Sequence, residues 1–503
     1  MVMSVEVDTG QAALAALTPL RASGGDRRTT GLSDELIAQF GKRDPRLLAA
    51  VESAVATART LDPAFLDQDE AEQVDWCQAG LHNFYDPDAV NPFVAAGAKG
   101  PWQVTLKGAV LYDTGGYGML GWGHNPDFVI AALAHEQPMA NVMTAHPAQR
   151  RFTDALMREI GQQDQCPYAG FMSLNSGSEA MSLACRIADT LSRTVVGPGG
   201  AREGATVKRL VQKGAFHGRT ERPALLSDSS RSTYDERLAS FATEDSVLVV
   251  ESGDVAALES AFADAEQNGW FIELVALEPV MGEGNPGYQI TREFYQAARR
   301  LATEHGSLLL IDSVQAGLRT KGVLSVVDYP EYAGCDAPDM ESFSKAIQAG
   351  QYPLSTLALG PRAVAIYQRG TYGNTMTGNP RAMSIGATVL EHMTTELRAN
   401  IVARGDELTA KLDALRDEFP GVAVGAQGTG LLVSLEIAGH KIYGTDSLEE
   451  WLRREGLGVI HGGASSLRFT PTFDCTSEEL DLVVDLVRAG LRAGAGRTDD
   501  RTA

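Results

Sequence analysis

The stretch "PDMESFSKAIQAGQYP", residues 338–353, ends a strand-like run in a single lysine, Lys345, before a glycine-bearing loop. No acidic residue stands directly beside it. A lysine there is either a solvated surface charge or a nucleophile held at the end of a strand, and the surrounding chain decides which. From about residue 105 onward, short apolar runs alternate with helical patterns. "FMSLN" (171–175) precedes a helix beginning near Ser178, and "SVLVVE" (246–251) precedes "DVAALESAFADAEQN" (254–268). "ELVALEPV" (273–280) precedes "TREFYQAARRLATEHG" (291–306), which "LLLIDSV" (308–314) follows. This βαβα rhythm predicts an α/β fold with a mainly parallel sheet and helices on both faces.

Around that block the chain divides. Long helical patterns from about 386, the strands "GLLVSLEIA" and "LGVIHGG", and a last helix "SEELDLVVDLVRAGL" read as a smaller α/β domain. The expected organisation is an N-terminal extension over 1–80, partly flexible and helical, and a segment over 81–130 packing on the small domain and the site. A large domain over 131–385, a small C-terminal domain over 386–495 and a tail over 496–503 complete it. "RASGGDRRTTG" (21–31) reads as flexible. Two helices should follow, one capped by Ser33, the other by Asp44 with Pro45 in its first turn. "FYDPDAVNPFVAAGAKGPW" reads as loop, and "AGAGRTDDRTA" (493–503) as disordered tail.

The 503 residues are 44% hydrophobic and 21% charged, the balance of a globular protein. With 43 basic and 65 acidic side chains the net charge is −22, which disfavours nucleic acid and anionic membrane as partners. Cys77, Cys166, Cys185, Cys335 and Cys475 show no C-x-x-C spacing, so neither a metal site nor a disulfide framework is expected. The start "MVMSVEVDTG" does not read as a signal segment and no apolar run nears the ~18 residues of a membrane span, so neither is expected and a cytoplasmic location is.

In open parallel sheets, ligands bind outside the carboxyl ends of strands. Ser176, Gly177 and Ser178 follow "FMSLN" and lead into a helix, where free N–H groups and the helix dipole suit a phosphate; the plain alternative is an N-cap. Asp312 ends an apolar strand, with Gln315 just beyond; a satisfied buried aspartate is the alternative. "AFHGRT" places Phe216, His217 and Arg219 on one loop, and "LEPVMGEG" places Glu278 and Glu283 after a further strand. Pyridoxal phosphate asks for this set together. It needs a lysine for its aldehyde, a carboxylate for its ring nitrogen, an anion site for its phosphate and an aromatic face for its ring. Desolvation beside a cationic ring makes such a lysine lose its proton easily.

The motifs "LNSGSEAMSLACRIA", "AFHGRT", "LEPVMGEGNPGY", "LLLIDSVQAGLRTKG", "PDMESFSK" and "TMTGNPRA" stand in the order and spacing of the class III aminotransferases, pyridoxal-phosphate enzymes of fold type I. The chain resembles that family over roughly residues 100–490. The resemblance implies that Lys345 is the Schiff-base lysine and proton shuttle and that Asp312 pairs with the pyridine nitrogen. Gln315 would lie near the phenolic oxygen, with Phe216, next to His217, on the ring and Ser176, Gly177 and Ser178 at the phosphate. Thr375 would reach the phosphate of a neighbouring subunit, which makes a homodimer. Within the family the pocket is similar to those of ornithine and 4-aminobutyrate aminotransferases. Arg219 matches their carboxylate-binding arginine. Glu283 and Arg468 match a switchable pair, neutralised for an ω-amine donor and opened for the α-carboxylate of 2-oxoglutarate. Tyr117 matches an ornithine-enzyme tyrosine, with ordinary packing as its alternative.

The chain departs from the family at Ser313, where glutamate is usual and a supporting charge is missing. It departs also at Met281, Ser182 and Arg186. The expected activity is transfer of a terminal amino group from a basic or ω-amino acid to 2-oxoglutarate. The competing readings are a mutase or racemase on the same fold, and a catalytically silent homologue acting as a binding subunit.

Overall fold

The computed structural model describes residues 8–498 apart from 163 and 244. Seven strands form the central sheet: β1 (Gly170–Leu174), β2 (Thr206–Gln212), β3 (Val247–Val250), β4 (Trp270–Leu277), β5 (Leu308–Asp312), β6 (Met340–Phe343) and β7 (Ser355–Leu359). Their order across the sheet is β1-β7-β6-β5-β4-β2-β3. All neighbours pair in parallel except those of β7, which runs against both β1 and β6. Because β7 opposes both, β1 runs with the rest. The carboxyl ends of β1, β2, β4, β5 and β6 therefore lie along one edge. β5 and β6 are buried at every residue, as expected of strands covered on both faces.

The crossover helices form where the sequence supplies caps and an apolar stripe. Gly177–Val195 is capped by Ser176, Val255–Asn268 by Asp254 and Arg292–His305 by Thr291. Val255–Asn268 buries Leu258, Phe262 and Ala265, one face at helical spacing, and ends on left-handed Gly269.

A second, antiparallel sheet joins Ala423–Thr429, Leu432–Ile437, Ser466–Phe469 and Ile460–Gly462, backed by the helices Thr395–Asp413 and Ser477–Ala493. "LGVIHGG", read as one strand, is split. Leu457–Gly458 pairs with Val110–Asp113, while Ile460–Gly462 pairs with Ser466–Phe469. The switch occurs at Val459, just past Gly458, where an added Cβ would sit 2.4 Å from Asp113 Oδ1.

The N-terminal region differs from expectation in three places. A helix, Thr9–Arg21, precedes the two foreseen at Asp34–Arg43 and Pro45–Ala58, whose Ser33 and Asp44 caps are present. The stretch 21–31 is held rather than loose. Glu70 Oε2 accepts the N–H groups of Arg28 (2.7 Å) and Thr29 (2.8 Å), and Lys107 Nζ donates to the carbonyls of Gly24, Leu66 and Gln68. Residues 95–99, read as loop, form a strand beside Trp102–Thr105. Their Ala/Gly composition hides the strand, yet it permits it: at Gly97 a Cβ would come within 2.3 Å of the Ala54 nitrogen on helix Pro45–Ala58. The start of the expected tail also pairs, with Thr498 N donating to Gly439 O at 3.0 Å; residues 499–503 lie outside the described part.

One apolar core runs from Ala13, Leu17 and Phe40 through Trp102 to Phe469 and Val487. Phe40 meets Trp102 at 5.4 Å between ring centroids. Among the described residues, no helix is long and apolar enough to cross a membrane.

Candidate active site

Along the shared edge of the sheet lies a cavity of about 200 Å³. Ser176, Gly177, Ser178, Phe216, His217, Asp312, Gln315 and Lys345 all line it. Eight residues singled out in the sequence, from four strand ends, are thus brought to one space.

Lys345 opens a short helix two residues past β6 and forms part of the cavity wall. Desolvation pushes its ammonium down and Arg468 pushes it further. Glu283, Asp312 and Glu278 offset this only in part, leaving it at about 8. Asp312 is buried at the end of β5, where its Oδ2 lies 2.9 Å from His217 Nδ1. Its Oδ1 accepts from Ser342 Oγ (2.9 Å) and Val314 N (3.1 Å). Burial alone would lower His217, but the bond and charge of Asp312, with Glu278 behind, raise it above the ordinary imidazole value. Its Nε2 is buried with no partner.

The helix Gly177–Val195 starts at the cavity. Ser176 Oγ caps the Glu179 nitrogen, which leaves the first-turn N–H groups of Gly177 and Ser178 facing the space they line. Val314 packs within 3.0 Å of where a Cβ on Gly177 would sit, so the turn after β5 and this helix fix each other. Ser182 Oγ bonds to Ser178 O, and Arg186 ties the helix to Thr371 O at 3.0 Å. Those departures from the family thus find local partners. Met281 is buried behind the cavity, and its sulfur accepts from Ser252 Oγ.

A larger neighbouring cavity of about 810 Å³ includes Phe84, Tyr85, Arg219, Tyr234, Glu283 and His461 in its lining. The Arg219 guanidinium lies over the rings of Phe84 (5.5 Å), Tyr85 (5.4 Å) and Phe216 (5.3 Å). Arg468, fully buried on Ser466–Phe469, reaches Glu283 Oε2 at 2.8 Å. It also donates to Gly282 O and sits 3.4 Å from Gln315 Oε1. Gly282 is required here, since a Cβ would fall 2.2 Å from the Gln315 amide. Burial would raise the Glu283 carboxyl, but Arg468 and Lys345 hold it below its usual range. Tyr117 turns its ring under the Arg468 guanidinium at 5.6 Å, from a left-handed backbone (φ 52°). Thr375 is exposed and lines neither cavity of its own chain.

Sequence reasoning gave no role to three groups. Glu278 accepts the N–H groups of Phe216 and Gly282, both at 2.9 Å, and burial pushes it up to about 7. Ser342 holds Asp312 from the adjacent strand. Phe84 and Tyr85 flank Arg219 from the segment expected to pack on the site, although neither ring was singled out there. The signal for Ser342 was present: alternation along β6 aligns it with Asp312.

A lysine wall, a carboxylate backed by an imidazole, a helix N-terminus and an aromatic ring fit a flat cationic heterocycle carrying a phosphate. The family Aminotransferase class-III matches residues 84–491, and the chain belongs to it. It is therefore an aminotransferase. Acetylornithine aminotransferase of Xanthomonas axonopodis is 27% identical over 402 residues, covering 76% of this chain and 91% of that enzyme. Ornithine aminotransferase 2 of Staphylococcus aureus is 27% identical over 415 residues, covering 81% and 96%. The ornithine aminotransferase of Toxoplasma gondii shares the fold, with a TM-score of 0.70 at 23% identity across 84% of this chain and 95% of that one. An S-selective transaminase of Bacillus megaterium does so as well, at 0.70 and 17%, across 84% and 97%.

Proposed function

We propose that this aminotransferase moves a terminal amino group from a basic or ω-amino acid to 2-oxoglutarate, in two alternating half-reactions, with pyridoxal phosphate in the smaller cavity. The observation that carries the reading is the buried Arg468–Glu283 pair, whose charges both act on Lys345. A fixed carboxylate site would need no carboxylate of its own. An arginine masked by a movable one suits an enzyme that takes donors and acceptors in turn.

Pyridoxal phosphate, when bound, supplies a protonated ring that accepts electrons from the carbon bearing the amine. The chain's own groups do the rest. Lys345 Nζ, whose pKa burial and Arg468 bring down to about 8, gives up its proton more readily than a free lysine and would take the proton from that carbon and return it. Asp312, braced by His217, Ser342 and Val314 N, holds a proton on the ring nitrogen. The N–H groups of Gly177 and Ser178, with Ser176, receive the phosphate, and Phe216 covers the ring. Gln315 bonds the ring oxygen. Glu283 neutralises Arg468 while an ω-amine chain approaches, and releases it for the α-carboxylate of the acceptor. Arg219, steadied by Phe84 and Tyr85, takes the distal carboxylate, and Tyr117 shapes the channel between. We read the enzyme as a cytoplasmic homodimer in which Thr375 of one subunit completes the phosphate site of the other.

The test is a donor screen with ornithine, lysine, N-acetylornithine and 4-aminobutyrate, following glutamate formed from 2-oxoglutarate and the loss of cofactor absorbance on adding donor. Glutamate formation from at least one ω-amine supports the reading. Turnover confined to α-amino donors, or none with any donor, overturns it.

A further inference from the structure

Glu341 is fully buried on β6, four residues before Lys345, and the site as described leaves it unused. Its carboxyl has no cation beside it among the described ion pairs and is held by four donors instead. Ser313 Oγ donates to Oε1 at 2.6 Å and Val326 N to the same oxygen at 2.9 Å. Tyr168 OH donates to Oε2 at 2.6 Å, and Ser325 Oγ donates there too. A buried carboxyl with four donors and no counter-charge is costly, so it persists where its geometry matters.

Its geometry bears on the turn that carries the site. Ser313 stands between Asp312 and Val314, and its own backbone pairs with Ser342 O at 3.0 Å. Val314 seats on Gly177, and Gln315 lines the cavity against Arg468. The Ser313 side chain, pointing away from the cavity, has Glu341 as its partner. The sequence lacks a carboxyl at 313, and the neighbouring strand delivers one to that hydroxyl.

We propose that Glu341 is a positioning residue: its carboxyl, supplied from β6 in place of one at residue 313, fixes the 313–315 turn and thereby holds Asp312 and Gln315 in the cavity. The proposal rests on the cofactor reading of that cavity, and its test has an arm that does not.

The experiment compares Glu341→Gln, Glu341→Val, Ser313→Glu and the double variant Ser313→Glu/Glu341→Val. Each is measured for melting temperature without cofactor, for pyridoxal-phosphate binding by absorbance, and for kcat and KM. Glu341→Gln should bind the cofactor and stay folded but lose about 10- to 100-fold in kcat with KM little changed, the scale of a lost charge-assisted hydrogen bond. Ser313→Glu alone buries two carboxyls together and should melt lower. The double variant restores one carboxyl from the other strand and should recover both melting temperature and kcat beyond either of its single variants. Wild-type kcat per bound cofactor in Glu341→Gln overturns the proposal, as does a double variant no better than the worse single. If the wild-type protein transfers no amino group, the function proposed above fails, while the cofactor-free melting comparison still decides whether residues 313 and 341 share one carboxyl site.

Discussion

Glu283→Gln removes the one carboxylate that pairs with Arg468 among the described residues, and the consequences follow from the surroundings of that guanidinium. Arg468 keeps only neutral acceptors, Gly282 O and Gln315 Oε1, and its Nε and Nη2 already lack partners. A hydrogen bond between charged groups contributes about 1.5–3 kcal/mol, or roughly 10- to 150-fold. The Glu283 side chain is 21% exposed, which places the expected shift toward the lower end, about 10- to 30-fold. An uncovered arginine attracts α-carboxylates, so glutamate should improve as a donor and the ω-amine should worsen by that combined factor. Lys345 should respond as well, because Glu283 raises its pKa and Arg468 lowers it. In Glu283→Gln its pKa falls below about 8, and in Arg468→Met it rises. The assay is single-turnover absorbance of each half-reaction over a pH series, with donor and acceptor added separately. If both variants slow both halves equally and leave the pH profile unmoved, the pair is structural and the switching role is refuted.

Lys345→Ala should lose borohydride-reducible attachment of the cofactor and all turnover, checked by mass spectrometry after reduction. Asp312→Asn should stay folded but lose kcat far more than KM, since the amide cannot hold a proton on the ring nitrogen; an unchanged kcat contradicts that role. Glu278, Glu341 and Glu479 are each pushed up to about 7 by burial. The folded chain therefore binds protons that the unfolded chain releases, so their contribution is full below the ordinary glutamate range and is lost as pH rises through about 7. The melting temperature of the cofactor-free protein should fall over that window, and less so in Glu341→Gln. Lys107→Met should free the segment around residues 24–32 by removing three carbonyl bonds, seen as faster proteolysis there at unchanged activity.

Lys345, Asp312 and the Ser176–Ser178 turn were legible because residue type and strand-end position together carry their chemistry. Helices capped by Ser33 and Asp44 were legible because caps act over three or four residues. What escaped depends on segments far apart in sequence. Ser313 looked like a missing charge, since nothing local reveals that Glu341 faces it from the adjacent strand. The strand at 95–99 is poor in β-formers and exists because Gly97 lets it lie on a helix more than forty positions away. Arg219 was found by its motif, but the rings that steady it come from a loop over a hundred residues earlier.

The helices before residue 60 share a core with Trp102 and with Val487 near the other end of the chain, and that changes where this protein can be cut. The family match opens at residue 84, but the folding unit does not. A fragment starting there would strip Phe40 from Trp102 and leave the indole Nε1 without Asp44, its acceptor at 2.7 Å. It would also sever Arg46 from Asp474. Homology boundaries are a poor guide to portability here. A minimal enzyme, a domain swap with a shorter relative or a fusion joint placed at that boundary inherits an open apolar wound.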